Sequence, residues 1–111
     1  MSAEEIGDKV RELNDRFRTT MTGGQVMMTA GVDALPHDVK AMIVRRVATF
    51  TAFTADNDPH GEHDFGSFEI AGRKVFWKID YFDAACEFGS EDPADPVKTT
   101  RVLTIMLAEE Y

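Results

Sequence analysis

The sequence predicts a two-layer α+β domain: an antiparallel or mixed sheet of about four to five strands with two helices packed on one face. Three observations carry this reading. Two segments in the N-terminal half repeat apolar residues at helical spacing. The C-terminal half holds runs that alternate or are β-branched, as strands do. With 111 residues there is room for one domain, 1–111, around a single core. Two helices cannot sheathe both faces of a long sheet, so they are expected on one.

Ser2 and Glu5, in S-A-E-E, form a capping box that starts the first helix. Ile6, Val10, Leu13 and Phe17 then recur as one apolar stripe over about four turns. Asp8, Lys9, Glu12, Asp15 and Arg16 occupy the other side. Thr19 to Gly24 ends the helix, because Gly-Gly favours a turn. Gln25 to Val32 reads as a short strand. Pro36 opens a second helix, with Asp38 favourably near its N-terminus. Its buried stripe is Val39, Met42, Ile43, Val47 and Phe50, and helix is expected as far as Phe53.

A polar loop, Thr54 to Asp64, leads into a β-hairpin. Its arms are Phe65 to Ala71 and Arg73 to Asp83, joined through Gly72. Val75, Trp77, Ile79 and Tyr81 share one face of the second arm, and Phe76, Lys78, Asp80 and Phe82 the other. Aromatics on both faces mark a central strand. Glu91 to Pro96 is a loop, since its two prolines remove ladder donors. Thr99 to Leu107 is β-branched and reads as a strand, against a competing helix capped by Asp95-Pro96.

Charge is unevenly placed. Residues 1–54 hold seven acids and seven bases, whereas 55–111 hold thirteen acids and five bases, so the whole net charge of −8 lies in the second half. Such a surface repels nucleic acid and anionic membrane and attracts a basic protein. The competing reading is an acidic surface that only keeps the protein soluble. Cys86 is the sole cysteine, which rules out an intramolecular disulfide and suits a cytoplasmic setting. The N-terminus is acidic and lacks the pattern of a secretory signal.

The densest chemistry lies in T-A-D-N-D-P-H-G-E-H-D-F, which gathers Asp56, Asp58, His60, Glu62, His63 and Asp64. Imidazole and carboxylate suit zinc, with His60, His63 and Asp64 as candidate ligands and Asp56, Asp58 or His37 completing the set. The H-E-x-x-H pattern is absent, and Ser67 stands where a calcium loop needs glutamate. As acid–base groups the same histidines would serve a metal-dependent hydrolase-like enzyme, but no nucleophile elbow or phosphate loop accompanies them. The competing reading is a rigid loop braced by its own Asp and Asn side chains. A second candidate is a carboxylate ridge of Asp80, Asp83, Glu91, Asp92 and Asp95, with Glu87. It would imitate phosphates before a DNA-binding enzyme. The aromatics of the long strand and the methionines are read as core rather than as a base-stacking platform, which needs a basic groove.

T-A-G-V, F-T-A-D-N-D-P-H-G-E-H-D-F-G-S-F, V-F-W-K-I-D-Y-F-D and R-V-L-T-I-M-L-A-E-E-Y together resemble a bacterial family of small proteins catalogued as a domain of unknown function. The resemblance runs from about Ile6 to Tyr111. That family is common in alphaproteobacteria, including on plasmids, so the resemblance implies a mobile-element setting but no activity. The expectation is a non-catalytic, small acidic binding protein without a cofactor, acting in anti-restriction or anti-CRISPR style on a basic nucleic-acid-handling protein. A metal-dependent enzyme is the alternative, and a homodimer is a third.

Overall fold

A computed structural model describes all residues, Met1–Tyr111. Helix α1 spans Ala3–Thr20. The Ser2 side chain accepts from the Glu5 N–H at its start (3.1 Å), and Met21 closes it in the left-handed conformation (φ 56°). Strand β1 is only Gln25–Met28, and the chain then turns into a short helix, α2, Ala30–Asp33. Helix α3 spans His37–Ala48, strand β2 Phe65–Ile70, β3 Arg73–Asp83 and β4 Thr99–Leu107. A 3₁₀ turn, Ala108–Glu110, follows.

Two differences from the sequence reading have physical causes. The expected strand Gln25–Val32 breaks at Thr29 because Glu110 caps α2 from the far end of the chain. Its carboxylate accepts from the Thr29 hydroxyl (2.6 Å) and the Gly31 N–H (2.9 Å). Helix α3 stops at Ala48, short of Phe53, because the Arg18 guanidinium takes its last carbonyls. Arg18 Nη1 donates to Val47 O (2.8 Å), Ala48 O (3.3 Å) and Phe50 O (3.0 Å). The Thr99–Leu107 ambiguity resolves as strand.

The sheet is mixed, in the order β1-β4-β3-β2. β1 runs parallel to β4, and the other pairs are antiparallel. The β2–β3 turn has φ above zero at both Ala71 (52°) and Gly72 (75°), as a primed hairpin turn requires. β3 is an interior strand, as its two-faced aromatics predicted.

One parity of the strands makes the core. Val75, Trp77 and Ile79 of β3 face across to Leu107, Ile105 and Leu103 of β4. Phe17 of α1, Val32 of α2, and Ile43 and Val47 of α3 join the same cluster. Trp77 is wholly buried, and truncating such a side chain costs roughly 3–5 kcal/mol. Gly66 pairs with it because a Cβ there would meet Trp77 Nε1 at 2.5 Å. The other parity carries Phe65, Phe76, Phe82, Val102 and Met106, with Tyr111 edge-on to Phe65 and Phe76. No helix is long and apolar enough to cross a membrane.

Candidate functional site

The histidine-bearing bend is built from its own side chains inward. Asn57 Oδ1 accepts from the Thr54 N–H (2.9 Å), and Asn57 Nδ2 donates to Ala52 O (3.0 Å). Asp58 is buried, and its carboxylate accepts from the N–H groups of Glu62 (3.0 Å) and His63 (3.2 Å). That grip holds Gly61 and His63 at positive φ (64° and 55°). The His63 ring stacks flat on Phe53, with centroids 3.8 Å apart. Its Nδ1 lies 2.9 Å from Asp15 Oδ1, and its Nε2 3.7 Å from Asp58 Oδ2.

Asp15 also accepts from Arg18 Nη2 (3.1 Å). Arg18 is 3% exposed and lies over the rings of Trp77 (5.2 Å) and Phe53 (5.4 Å). The chain Arg18–Asp15–His63–Asp58 therefore ties α1, the end of α3 and the bend together. A cleft of about 570 Å³ beside it is lined by Asp15, Thr19, Thr49, Phe50 and His63.

A second network lies behind the first. Asn14, fully buried, donates to Tyr81 Oη (2.7 Å) and Glu62 O (3.0 Å) and accepts from Arg101 Nε (2.8 Å). Tyr81 Oη donates to Glu62 Oε1 (2.9 Å). Burial pushes the Tyr81 phenol well above its ordinary range and lowers Arg101. Asp64 is raised as well, first by burial and then by the neighbouring Glu62 charge.

Both ring nitrogens of His63 face carboxylates, so neither is turned toward an incoming substrate. His60 and Asp56 are exposed. No group of three His, Cys, Asp or Glu side chains is placed to hold a metal ion, so His60, His63 and Asp64 do not converge as ligands. The arrangement is suited to bracing: Asp58 and Asn57 act as the self-bonded loop predicts, and His63 reaches a partner on α1.

The second candidate region is the connection from β3 to β4. Asp80 pairs with Lys78 (3.1 Å). Asp83 accepts from the Glu87 N–H (3.0 Å), Asp92 from Ala94 (3.2 Å) and Asp95 from Val97 (2.9 Å). Phe82 and Gly89 form a bridge, the Ser90 N–H donates to Tyr81 O (3.0 Å), and Arg101 donates to Pro93 O. The backbone is thereby fixed, yet Phe88 is 71% and Val97 84% exposed. They line a cleft of about 430 Å³ with Asp83, Glu91 and Lys98. Glu87 and Glu91 are exposed as well. Sequence reasoning named the carboxylates but passed over Phe88 and Val97. The available signal was one aromatic set among acids in C-E-F-G-S-E. It also passed over Asn14 and Arg18 and placed Asp15 only on the polar side of α1, although Asn14 stands among the apolar positions of that helix.

The family model described as a protein of unknown function (DUF3768) matches residues 28–110, and the chain belongs to that family. The match takes in the bend, the sheet from β2 to β4 and the acidic connection. No curated protein matches the chain, and no solved structure does.

Proposed function

We propose that this DUF3768 chain is a small acidic binding protein that engages a basic, nucleic-acid-handling protein through its β3–β4 connection, without catalysis. One observation carries the reading: Phe88 and Val97 stand exposed on a backbone that hydrogen bonds hold in place. Apolar anchors on a pre-ordered loop are what a protein interface uses, because little freedom remains to be lost on docking. Between Asp83 and Asp95 there are five carboxylates and no lysine or arginine. Asp83, Asp92 and Asp95 each bond main-chain N–H groups through one oxygen, which leaves the other for a partner. Carboxylates around an apolar anchor can occupy a surface that otherwise binds phosphates, in the manner of anti-restriction and anti-CRISPR inhibitors. That chemistry fits an accessory, mobile-element role.

Affinity capture with the wild-type chain and a Phe88→Ala variant tests the proposal, followed by titration with the purified partner. The partner is expected to be basic and to bind less tightly as salt rises. Phe88→Ala should weaken the complex by roughly tenfold or more. A partner held as firmly at high salt, and indifferent to Phe88→Ala, would overturn the assignment.

A further inference from the structure

The sheet has two faces, and the helices send their core residues to one of them. Phe17, Val32, Ile43 and Val47, from α1, α2 and α3, pack into the cluster of Val75, Trp77, Leu103 and Ile105. The other parity of the strands points away from that cluster. It carries Phe65, Phe76, Phe82, Val102 and Met106, and Met27 of β1 joins it through its register with Thr104. Met27 is 53% exposed, and Tyr111, which lies edge-on to Phe65 and Phe76, is 75% exposed. An antiparallel sheet that shows one face to water alternates apolar and polar residues, with the polar ones outward. Here all four strands put apolar residues on the outer face, the pattern of a sheet buried on both sides.

The charges on this face decide what can lie against it. Lys74, Lys78 and Asp80 of β3 share its parity with Glu69 of β2, two of each sign. The face is therefore neutral in a chain of net charge −8, and it offers no field to a basic partner. Lys78 Nζ and Asp80 Oδ2 lie 3.1 Å apart, with side chains 40% and 41% exposed. They stand one residue either side of Ile79, and Phe76 and Phe82 stand three residues either side. Reversing β3 about Ile79 exchanges Lys78 with Asp80 and Phe76 with Phe82. A two-fold interface requires that kind of self-complementarity. At ~3.3 Å per residue and ~4.8 Å between strands, the four strands span roughly 500 Å² of flat face. Two copies would bury about 1,000 Å² or more, which a specific interface needs.

We infer that a second copy of this chain covers the face, in a two-fold dimer packed sheet on sheet. β3 of one copy runs antiparallel over β3 of the other, centred on Ile79. Lys78 then faces Asp80 of the second copy, and Phe76 faces Phe82 of the second copy. The two Lys78–Asp80 pairs meet as a ring of four alternating charges, so no unbalanced charge is buried. Met27, Val102 and Met106 fill the space between the sheets, about 10 Å deep. The reversal carries the two β3–β4 connections to opposite ends of the dimer, so their acidic surfaces do not meet. The inference is independent of the binding role proposed above, and that role stands whether or not the dimer forms.

Sedimentation velocity of the full chain from about 1 to 500 μM tests the inference, in reducing buffer so that Cys86 cannot cross-link copies. The expected result is a reversible monomer–dimer equilibrium in the micromolar range. In the wild-type chain the methyl resonances of Met27 and Met106 should move with concentration, while those of Ile43 in the helix-covered core stay fixed. Lys78→Asp or Asp80→Lys sets like charges against one another across the two-fold and should weaken the dimer by about tenfold or more. Mixing the two variants should restore association as a heterodimer, because each then meets the opposite charge. The methyl shifts need no substitution, so they decide the matter even if a variant fails to fold. A chain monomeric at every concentration, or a dimer that forms without moving the Met27 and Met106 methyls, would overturn the inference. So would a dimer that both variants leave intact, or folded variants that fail to complement. A basic protein that moves those methyls in a chain still monomeric would give the face to that partner, and the inference would fall.

Discussion

Asn14 shows how one side chain decides whether a buried polar layer is an asset or a cost. It satisfies Arg101 Nε, Tyr81 Oη and Glu62 O from a site with no exposure. Removing it leaves a guanidinium N–H and a carbonyl short of partners inside the protein. Asn14→Ala should therefore cost about 2–4 kcal/mol in urea unfolding, more than the loss of one hydrogen bond. A loss below about 1 kcal/mol would show that the network closes without it. Asp64 makes the opposite case. Its carboxyl is raised above the ordinary range by burial and by Glu62, so the folded state binds the proton more tightly than the unfolded one. The stability it contributes is present when it is protonated and is lost as pH rises through the folded value. Asp64→Asn should accordingly make the protein more stable than wild type at neutral pH. The gap should close below about pH 4, in melts recorded across that range.

At the scale of elements, the C-terminal turn acts as a clasp. Glu110 accepts from Thr29 Oγ1, the Gly31 N–H and the Leu107 N–H, which join β1, α2 and the end of β4. These hydrogen bonds hold its carboxyl below the ordinary range. The clasp's contribution is thus present above about pH 4.3 and fades as pH falls through the lower folded value. Glu110→Ala should speed amide exchange at Gly31 and Leu107 at neutral pH while leaving β3 protected. Exchange unchanged at both would mean that α2 holds its shape alone. The same clasp marks the boundary of what the sequence could reveal. The hairpin and the faces of β3 follow from local spacing and appear as expected. The stripe of α1 holds only at Val10 and Phe17: Ile6 stands exposed, as does Met42 of the α3 stripe, while Asn14 and Arg18 are buried instead because they bond to groups remote in the chain. The end of β1 and the end of α3 are set by Glu110 and Arg18, side chains remote in the chain, and no local pattern encodes them. The site divides in the same way. Asp58 and Asn57 brace the bend through near neighbours, a habit of their residue types. The pairing of His63 with Asp15 joins residues 48 apart and needed the fold to be seen.

For the molecule as a whole, the decisive property is where unbalanced charge sits. Acid and base in α1 meet as Asp8–Arg11, Glu12–Arg16 and Asp15–Arg18. The β3–β4 connection has no such partners, and Glu87 and Glu91 project without an ion pair. Like charges left without partners repel one another in the native state, and salt can screen that repulsion. Surface pairs such as those of α1 contribute little and lose little when screened. Raising ionic strength from about 0.01 M to 0.15 M, where the Debye length shrinks from about 30 Å to 8 Å, should therefore raise the melting temperature. The double substitution Glu87→Gln with Glu91→Gln should raise it at low salt and flatten the salt response. A wild-type melting temperature that falls with salt, or a double variant whose response matches wild type, would place the repulsion elsewhere. The same two charges are those a basic partner would neutralise. A flattened salt response in the variant should thus accompany slower association with that partner, because steering and self-repulsion arise from one patch.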